Sequence, residues 1–546
     1  KWDQTYDVVV LGSGAAGMPA AIAARDGGAS VVVVEKNWDV GGRAILSGAS
    51  IQLGCGHRLQ VEAGVHDTPD QFFLDWTGSR GQAPEGIDPK RWGNDGWNPL
   101  AKTNDRDIIR AFADNAVDSF NFLEANGVKW RGLGGIRGPG SPNVPRQANA
   151  APWPDKSGWI ISPRPGSGMG SGLIRPLQKS AEAKGVKILL LHRMRVIHRE
   201  QPTSGRVIGI TAEIVDKWNK PTGKTVNIRA RKGIIIATGG PSANYDIRRI
   251  YDPRLTEEYS HWGAQYSTKD ADGELAGMAI NASLWTACNQ INLGDRQVDR
   301  PGGALGTEFT IGGRLIDLDS PMFFKQGTQG LSMSDWQNGI MVQENGLRFD
   351  EETLRGKPLG SPGWRKHIDA ALQWNGSTKR LNGGGPIWGI FDSAAVEREK
   401  WKLEMPYVDK NGGFFFEADT IESLAPKLVA NKYSSRPMPP EALRATVDRY
   451  NSFVDSGKDT DYGKPTPMYK IEKPPFYAAW ATPPLHDVFA GLRINKDAQV
   501  IDVHGQVIPG LYAAGESASG ISQHGLAKGI IFGRLAGIHA AKQQAS

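Results

Sequence analysis

The apolar residues at the start of the chain fall into two short continuous runs separated by a helical pattern. Tyr6-Asp7-Val8-Val9-Val10-Leu11 reads as a buried strand. Gly12 to Gly17 breaks it. Met18 to Asp26 is alanine-rich and helical, and Ser30 to Glu35 is a second apolar strand, so the chain opens with a βαβ unit. Further on, Leu173 to Lys184 predicts a helix and Val186 to Leu191 a strand. Arg206 to Ile214 and Lys224 to Arg231 suit paired strands. Gly233-Ile234-Ile235-Ile236-Ala237 reads as another short buried strand, ending at Thr238-Gly239-Gly240. Between about 78 and 165 the chain is rich in Gly, Pro, Trp and Asn. This predicts excursions off the sheet, with one helix from Asp105 to Ala125.

Between 286 and 475 the βα rhythm weakens, although Glu441 to Phe453 still predicts a helix. From Gly491 strand-like stretches return, followed by Gly510-Leu511-Tyr512-Ala513-Ala514-Gly515-Glu516. A last helix is expected from near Gly529 toward Lys542. A length of 546 residues calls for two or more lobes.

Composition narrows the function by exclusion. Apolar residues at 39% and charged residues at 22% are ordinary for a globular chain. The net charge of +6 is mild over so much surface, and no basic block carries interleaved aromatics, which argues against nucleic-acid binding. No apolar run reaches the roughly 18 residues of a membrane span. Two cysteines, Cys55 and Cys288, exclude a disulfide scaffold, a four-cysteine zinc site and a cysteine-ligated iron–sulfur cluster. Cys55, in Gly54-Cys55-Gly56-His57, reads as a small residue packed in a glycine-rich segment. The chain starts at Lys1, which suits an export signal already removed, hence a periplasmic protein, or a trimmed chain.

The chemistry enters at Gly12-Ser13-Gly14-Ala15-Ala16-Gly17, a GxGxxG turn. Gly12 permits the tight turn, Gly14 lets the backbone approach a pyrophosphate, and Gly17 lets helix and strand pack. The helix N-terminus then faces the phosphates. The turn follows a strand, opens a helix, and is followed by Glu35 at about the distance of a ribose-binding acid. Those contexts identify a dinucleotide site, for NAD or FAD. Glu35 is followed by Lys36 and by a second glycine-rich stretch, Gly41-Gly42-Arg43, then Ser47-Gly48.

At these residues the sequence resembles the fumarate reductase and 3-ketosteroid dehydrogenase superfamily of flavoproteins. The resemblance recurs at Gly233 to Gly240, at Asp272-Gly273, at Gly346-Leu347-Arg348-Phe349 with Glu352, at Gly510 to Glu516, and at Phe532-Gly533-Arg534-Leu535-Ala536-Gly537. It implies an α/β fold: a Rossmann-like FAD-binding domain (1–285 and 476–546) with an inserted α+β capping domain (286–475). It implies FAD, and the absence of His and Cys from the first phosphate turn predicts that the FAD is bound without a covalent link. Gly12, Ala16, Glu35, Lys36, Gly42, Ser47 and Gly48 would hold the adenosine and pyrophosphate half, with Gly14, Ala15, Gly17, Gly41 and Arg43 in the same turns. Val196 would offer its backbone to the adenine. Ala237, Thr238 and Gly239 would pass under the cofactor, with Asp272 nearby. Gly515 and Glu516 would reach the ribityl chain, and Gly529, Ile530 and Ile531 would lie beside the isoalloxazine, at a helix N-terminus suited to the anionic reduced flavin.

The resemblance breaks where those relatives keep their substrate residues. The His-His-Thr-x-Gly-Gly segment of fumarate reductases is matched only by Leu485-His486-Asp487-Val488-Phe489-Ala490-Gly491. Their Arg-Leu-Gly-Gly segment is replaced by Ser522-Gln523-His524-Gly525-Leu526-Ala527-Lys528-Gly529, without the arginine. After Phe391-Asp392 the nearest arginine is Arg398, which does not align with their proton donor. The Tyr-Ala-Gly-Pro-Gly segment of ketosteroid dehydrogenases is missing. Fumarate, succinate and ketosteroids are therefore disfavoured.

The remaining expectation is a dehydrogenase or reductase acting on a carbon–carbon bond beside a carbonyl or aromatic system. Such a reaction needs a positioned acid or base and a donor to the activating carbonyl. His524, His486 and Lys528 are the first candidates, and Tyr266 and Arg355 follow. For each, a purely structural hydrogen bond is the competing role. The expected partners are a small-molecule substrate and an external electron donor or acceptor. A flavin oxidase and a flavin-bearing electron-relay subunit are the alternatives.

Overall fold

A computed structural model describes residues 1–77, 103–135, 144–154, 169–261, 268–287, 305–307, 330–333, 336–353, 370–372, 374–375, 379–405, 407–434, 436–482, 485, 489–523 and 525–546. The chain divides into two compact units. One comprises Lys1–Tyr251, Tyr266–Ile291 and Asp487–Ser546, and the other comprises Asp252–Gln265 and Asn292–His486.

The first unit is built on the opening βαβ. Strand β1 (Gln4–Leu11) leads through the glycine turn into helix α1 (Gly17–Asp26) and then β2 (Val31–Val34). Val8, Val9, Val10 and Leu11 are wholly buried, as are Val32 and Val33. Both strands lie in the middle of a sheet covered on both faces, which is why their runs are continuously apolar rather than alternating. Strands β3 (Ser50–Gln52), β4 (Trp130–Leu133) and β5 (Gln147–Ala150) form a small separate sheet in the order β3-β5-β4. The main sheet continues with β6 (Lys187–Leu189), β7 (His192–Arg199), β8 (Val207–Val215), β9 (Pro221–Ile236), β18 (Gln499–Ile501) and β19 (Val507–Ala513). Its order among the described residues is β18-β19-β9-β1-β2-β6, with β8 and then β7 branching from the long β9. The pairs β1–β2, β1–β9, β9–β19 and β2–β6 are parallel. The carboxyl ends of β1, β9 and β19 therefore stand side by side, where this architecture receives its ligands.

Two readings of this unit are corrected. Lys224 to Arg231 and Gly233 to Ala237 are parts of one strand, β9. Its first half pairs antiparallel with β8 and its second half pairs parallel with β1. The last helix spans Ala527–Ala541, so it begins before Gly529 and places Lys528 in its first turn.

The second unit carries a four-stranded antiparallel sheet in the order β11 (Ile340–Gln343), β14 (Ile387–Asp392), β16 (Phe476–Trp480), β15 (Phe415–Ala418). Trp388 and Trp480 meet edge to face at 5.2 Å in its core, under the helix Pro440–Ser456. Residues 476–480 thus fold with this unit rather than with the nucleotide-binding part. The reason is that β16 is an inner strand, bonded on both sides by β14 and β15. The segment Asp252–Gln265 joins the same unit, and Leu485 donates its amide to the Ser260 carbonyl at 2.7 Å.

Candidate cofactor-binding site

The glycines of the first turn are required for different reasons. Gly12 has φ +97°, and a Cβ there would sit 2.4 Å from the Ala237 carbonyl oxygen. A Cβ on Gly17 would sit 1.8 Å from the Gly12 carbonyl oxygen. These two are demanded by the fold itself. Gly14 is different: a Cβ there meets nothing nearer than the Gly41 carbonyl oxygen at 3.7 Å. The protein leaves room at Gly14, as a turn of this pattern does where a backbone approaches a pyrophosphate. Ala16, the N-cap of α1, supplies no side-chain hydrogen bond to the first-turn amides.

Glu35 is buried and held fast. One oxygen accepts from the Ser13 amide at 2.9 Å and the Ser13 hydroxyl at 2.6 Å, and the other accepts from the Asn37 amide at 2.9 Å. The Ser13 hydroxyl also accepts from the Gly41 amide at 3.0 Å, which ties the two glycine-rich turns together. Gly41 and Gly42 both have positive φ. Arg43 caps the short turn Ala44–Leu46 with its backbone, and the Ser47 hydroxyl donates to the Ala44 carbonyl at 2.6 Å. Gly48 follows in the same loop.

Lys36 and Asp272 are committed to one another's surroundings. The Lys36 ammonium donates to the Thr268 carbonyl at 2.6 Å and to Asp270 at 2.9 Å, and lies 3.8 Å from Asp272. Arg193 grips Asp272 through two bonds of 3.0 and 2.8 Å. Burial acts to raise the Asp270 carboxyl, but Lys36 and Arg193 pull it down to about 2. Val196 is 44% exposed, on β7, whose other edge has no strand partner among the described residues. The register of β7 on β8 shifts between Met194 and Val196, a bulge beside the expected adenine contact. A groove of about 480 Å³ runs there between β7 and the helix Asp272–Met278, lined by Val196, Ile197, Leu275 and Ala276 among others.

The ends of β9 and β19 meet the first turn. The Ala237 amide donates to the Leu11 carbonyl at 2.8 Å. The Thr238 hydroxyl accepts from the Gly273 amide at 3.2 Å, and the Ser517 hydroxyl donates to the Gly239 carbonyl at 2.9 Å. Gly515 has φ +73°, and a Cβ on it would stand 3.2 Å from the Ala16 Cβ. Glu516 pairs with Lys269. The C-terminal helix then crosses α1 at close range. A Cβ on Gly529 would meet the Ala16 Cβ at 3.5 Å, one on Gly533 the Ala16 carbonyl oxygen at 2.1 Å, and one on Gly537 the Ala20 carbonyl oxygen at 2.2 Å. Ile530 and Ile531 are fully buried in this crossing. Like Ala16 in α1, Leu526 at the N-cap of this helix supplies no side-chain cap. Two uncapped helix N-termini therefore converge on Ala16, a setting that favours an anionic ligand.

Of the five residues considered for proton chemistry, the described residues include Lys528 alone. His524, His486, Tyr266 and Arg355 lie outside them. Lys528 is buried, with its ammonium 5.0 Å from the Phe489 ring centre. The loop before it is anchored: the Ser522 amide donates to Asn104 at 2.7 Å, and the Gln523 side-chain amide donates to the Gln52 carbonyl at 2.8 Å. In the second unit Arg398 bonds Asn338 at 2.5 Å and lies 4.0 Å over the Tyr469 ring. Glu352 is fully buried there, bonded by Arg348 at 2.8 and 2.9 Å and by Lys464 at 3.2 Å. Burial acts to raise its carboxyl, and the two cations hold it down at about 2. Cys55 is buried with its amide bonded to Asp67 at 2.7 Å, and burial pushes its thiol up.

Residue-type reasoning missed several parts of the cradle. Ser13 carries no signal, because its position in GxGxxG accepts any residue. Lys269 and Ser517 reach the site only through chain segments far apart in sequence. Gly529, Gly533 and Gly537 do carry one: a spacing of four lines all three on one helix face.

The open space at Gly14, the held acid Glu35 and the paired helix N-termini fit a dinucleotide. The comparisons agree. The family model described as FAD binding domain matches residues 7–529. The probable fumarate reductase Ifc3 of Shewanella frigidimarina is 26% identical over 549 residues, covering 99% of this chain and 75% of that one. The vinyl phenol reductase of Lactiplantibacillus plantarum is 24% identical over 554 residues, covering 98% and 97%. Among solved structures, the 3-ketosteroid-Δ4-(5α)-dehydrogenase from Rhodococcus jostii RHA1 superposes with a TM-score of 0.57 at 25% identity, covering 100% of this chain and 98% of that one.

Proposed function

From the premise that this chain belongs to the FAD-binding-domain family and is an FAD-dependent oxidoreductase, we propose that it adds hydrogen to, or removes it from, a carbon–carbon bond beside a carbonyl or aromatic system. The observation that carries the reading is the nature of the relatives. A fumarate reductase, a vinyl phenol reductase and a ketosteroid dehydrogenase differ in substrate, yet each acts on a bond conjugated to such a group. When bound, FAD supplies a two-electron donor or acceptor whose N5 exchanges hydride with a substrate carbon.

The chain's own residues then supply the rest. Ala16, Gly14 and the two helix N-termini hold the pyrophosphate. Glu35 positions the adenosine ribose, with the Ser13 hydroxyl fixing its carboxylate. The late loop and Lys528 serve the substrate. A buried cation offsets negative charge on an activating carbonyl, and His524 or His486 exchanges the proton at the neighbouring carbon. The late loop, Ser522 to Lys528, lacks the arginine that grips a dicarboxylate, which favours a less charged substrate. Among the described residues no helix is long and apolar enough to cross a membrane, and an external carrier is proposed to complete the electron cycle.

Anaerobic stopped-flow mixing tests this reading. The reduced protein is mixed with fumarate, a vinyl phenol, an unsaturated aromatic acid and a 3-keto-4-ene steroid, and the oxidised protein with their saturated partners. The flavin band should change with at least one conjugated compound. No change with any of these classes, together with fast reoxidation by oxygen, overturns it in favour of an oxidase.

A further inference from the structure

Glu516 puts a carboxylate against the cofactor cradle, and FAD gains one unit of negative charge when two electrons and one proton convert it to the anionic reduced form. A cradle with an uncompensated carboxylate at that point opposes reduction.

Lys269 stands opposite it. The residue is 5% exposed, and its backbone is fixed where the Ala243 amide donates to the Lys269 carbonyl at 2.8 Å. Its side chain runs past Gly239: a Cβ on that glycine would meet the Lys269 Cγ at 3.4 Å. Its ammonium pairs with Glu516, whose neighbour Gly515 touches the first phosphate turn.

Asp270 and Asp272 share Lys36 and Arg193. Glu274 is fully buried, and neither carboxyl oxygen has a side-chain or backbone hydrogen-bond partner among the described residues. Burial, with Asp272 and Glu516 nearby, raises its carboxyl well above the ordinary carboxylate value, which disfavours a charge there. Lys269 is thus placed to match the charge of Glu516.

We propose that Lys269 is a positioning residue for the flavin: its ammonium neutralises Glu516 in the cradle wall and so raises the reduction potential of the bound FAD. This rests on the reading that Glu516 lies against the flavin half of the cofactor.

The test is the midpoint potential of FAD in the purified holoprotein, followed by dye-coupled reductive titration with no substrate present. Lys269→Met should shift the equilibrium between oxidised and reduced FAD toward the oxidised form by about tenfold, a drop of ~30 mV for a two-electron couple. Lys269→Arg should keep the wild-type value. Glu516→Gln, which removes the carboxylate charge and keeps the ammonium, should shift it the other way. The double variant Lys269→Met/Glu516→Gln should return close to wild type.

A Glu516→Gln potential at or below wild type overturns the inference, and this arm stands even if Lys269→Met fails to retain FAD. A double variant as low as Lys269→Met also overturns it. A wild-type protein that carries no FAD defeats the cofactor reading instead, and FAD whose potential ignores all the substitutions defeats only the role of Lys269.

Discussion

Gly533 lies so close to Ala16 that a Cβ built on it would stand 2.1 Å from the Ala16 carbonyl oxygen. The C-terminal helix therefore touches the backbone of the phosphate turn, although more than 500 residues separate the two in the chain. Gly537 makes the same approach to Ala20, one turn further along. Gly533→Val should push the helices apart. Overpacking of this kind costs roughly 1–3 kcal/mol and occasionally more. We expect a lower Tm together with reduced FAD content, measured by thermal unfolding and by flavin absorbance per chain. A variant with wild-type Tm and full flavin would mean that the crossing does not shape the cradle.

Gly14 and Gly17 should separate cofactor binding from folding. A Cβ at Gly14 comes no nearer than 3.7 Å to the Gly41 carbonyl oxygen, so Gly14→Val should keep the fold while FAD is lost. Gly17→Val places a side chain on the Gly12 carbonyl oxygen and should destabilise the unit itself. Circular dichroism and flavin content on both variants check this. Equal loss of structure in the two would remove the distinction.

FAD should be bound without a covalent link, because no His or Cys occurs in the first phosphate turn. Acid precipitation should leave the yellow colour in the supernatant. Colour in the pellet would place an attachment residue elsewhere in the chain.

His524→Ala and His486→Ala should each keep the flavin spectrum and slow the substrate half-reaction at least about tenfold, the low end for a positioned acid or base or slightly under it. Lys528→Met should slow it as well, with the larger effect on carbonyl-activated substrates. Wild-type rates in both histidine variants would move attention to Tyr266 and Arg355.

His57 gives a pH prediction. It is buried and stacked on Phe120 with ring centres 4.6 Å apart, and burial pushes it down to about 4 from an ordinary value near 6.5. A histidine depressed in the fold stays neutral there while the unfolded chain takes up a proton. Its contribution is therefore whole above pH 6.5 and is lost as pH falls from 6.5 to 4. The loss amounts to ~3 kcal/mol at 1.36 kcal/mol per pKa unit. His57→Phe should flatten the stability profile in that window, as measured by denaturant midpoints. An unchanged slope would show that other groups carry it.

By itself the sequence determined what depends on neighbouring residues. The βαβ start was legible because buried strands, a glycine turn and an alanine-rich helix follow one another within 35 residues, each with its own local pattern. The need for glycine at 12 and 17 was legible for the same reason. Tertiary structure decided what depends on distant segments. Whether Lys224 to Ile236 was one strand or two depended on its partners, since β8 binds one half and β1 the other. Residues 476–480 belong to the second unit because both neighbours of β16 lie there. Lys269 pairs with Glu516 across nearly half the chain, and no local periodicity reports such a pair. The early start of the last helix follows from packing as well: Ala527 and Lys528 are buried, which local propensity does not foresee.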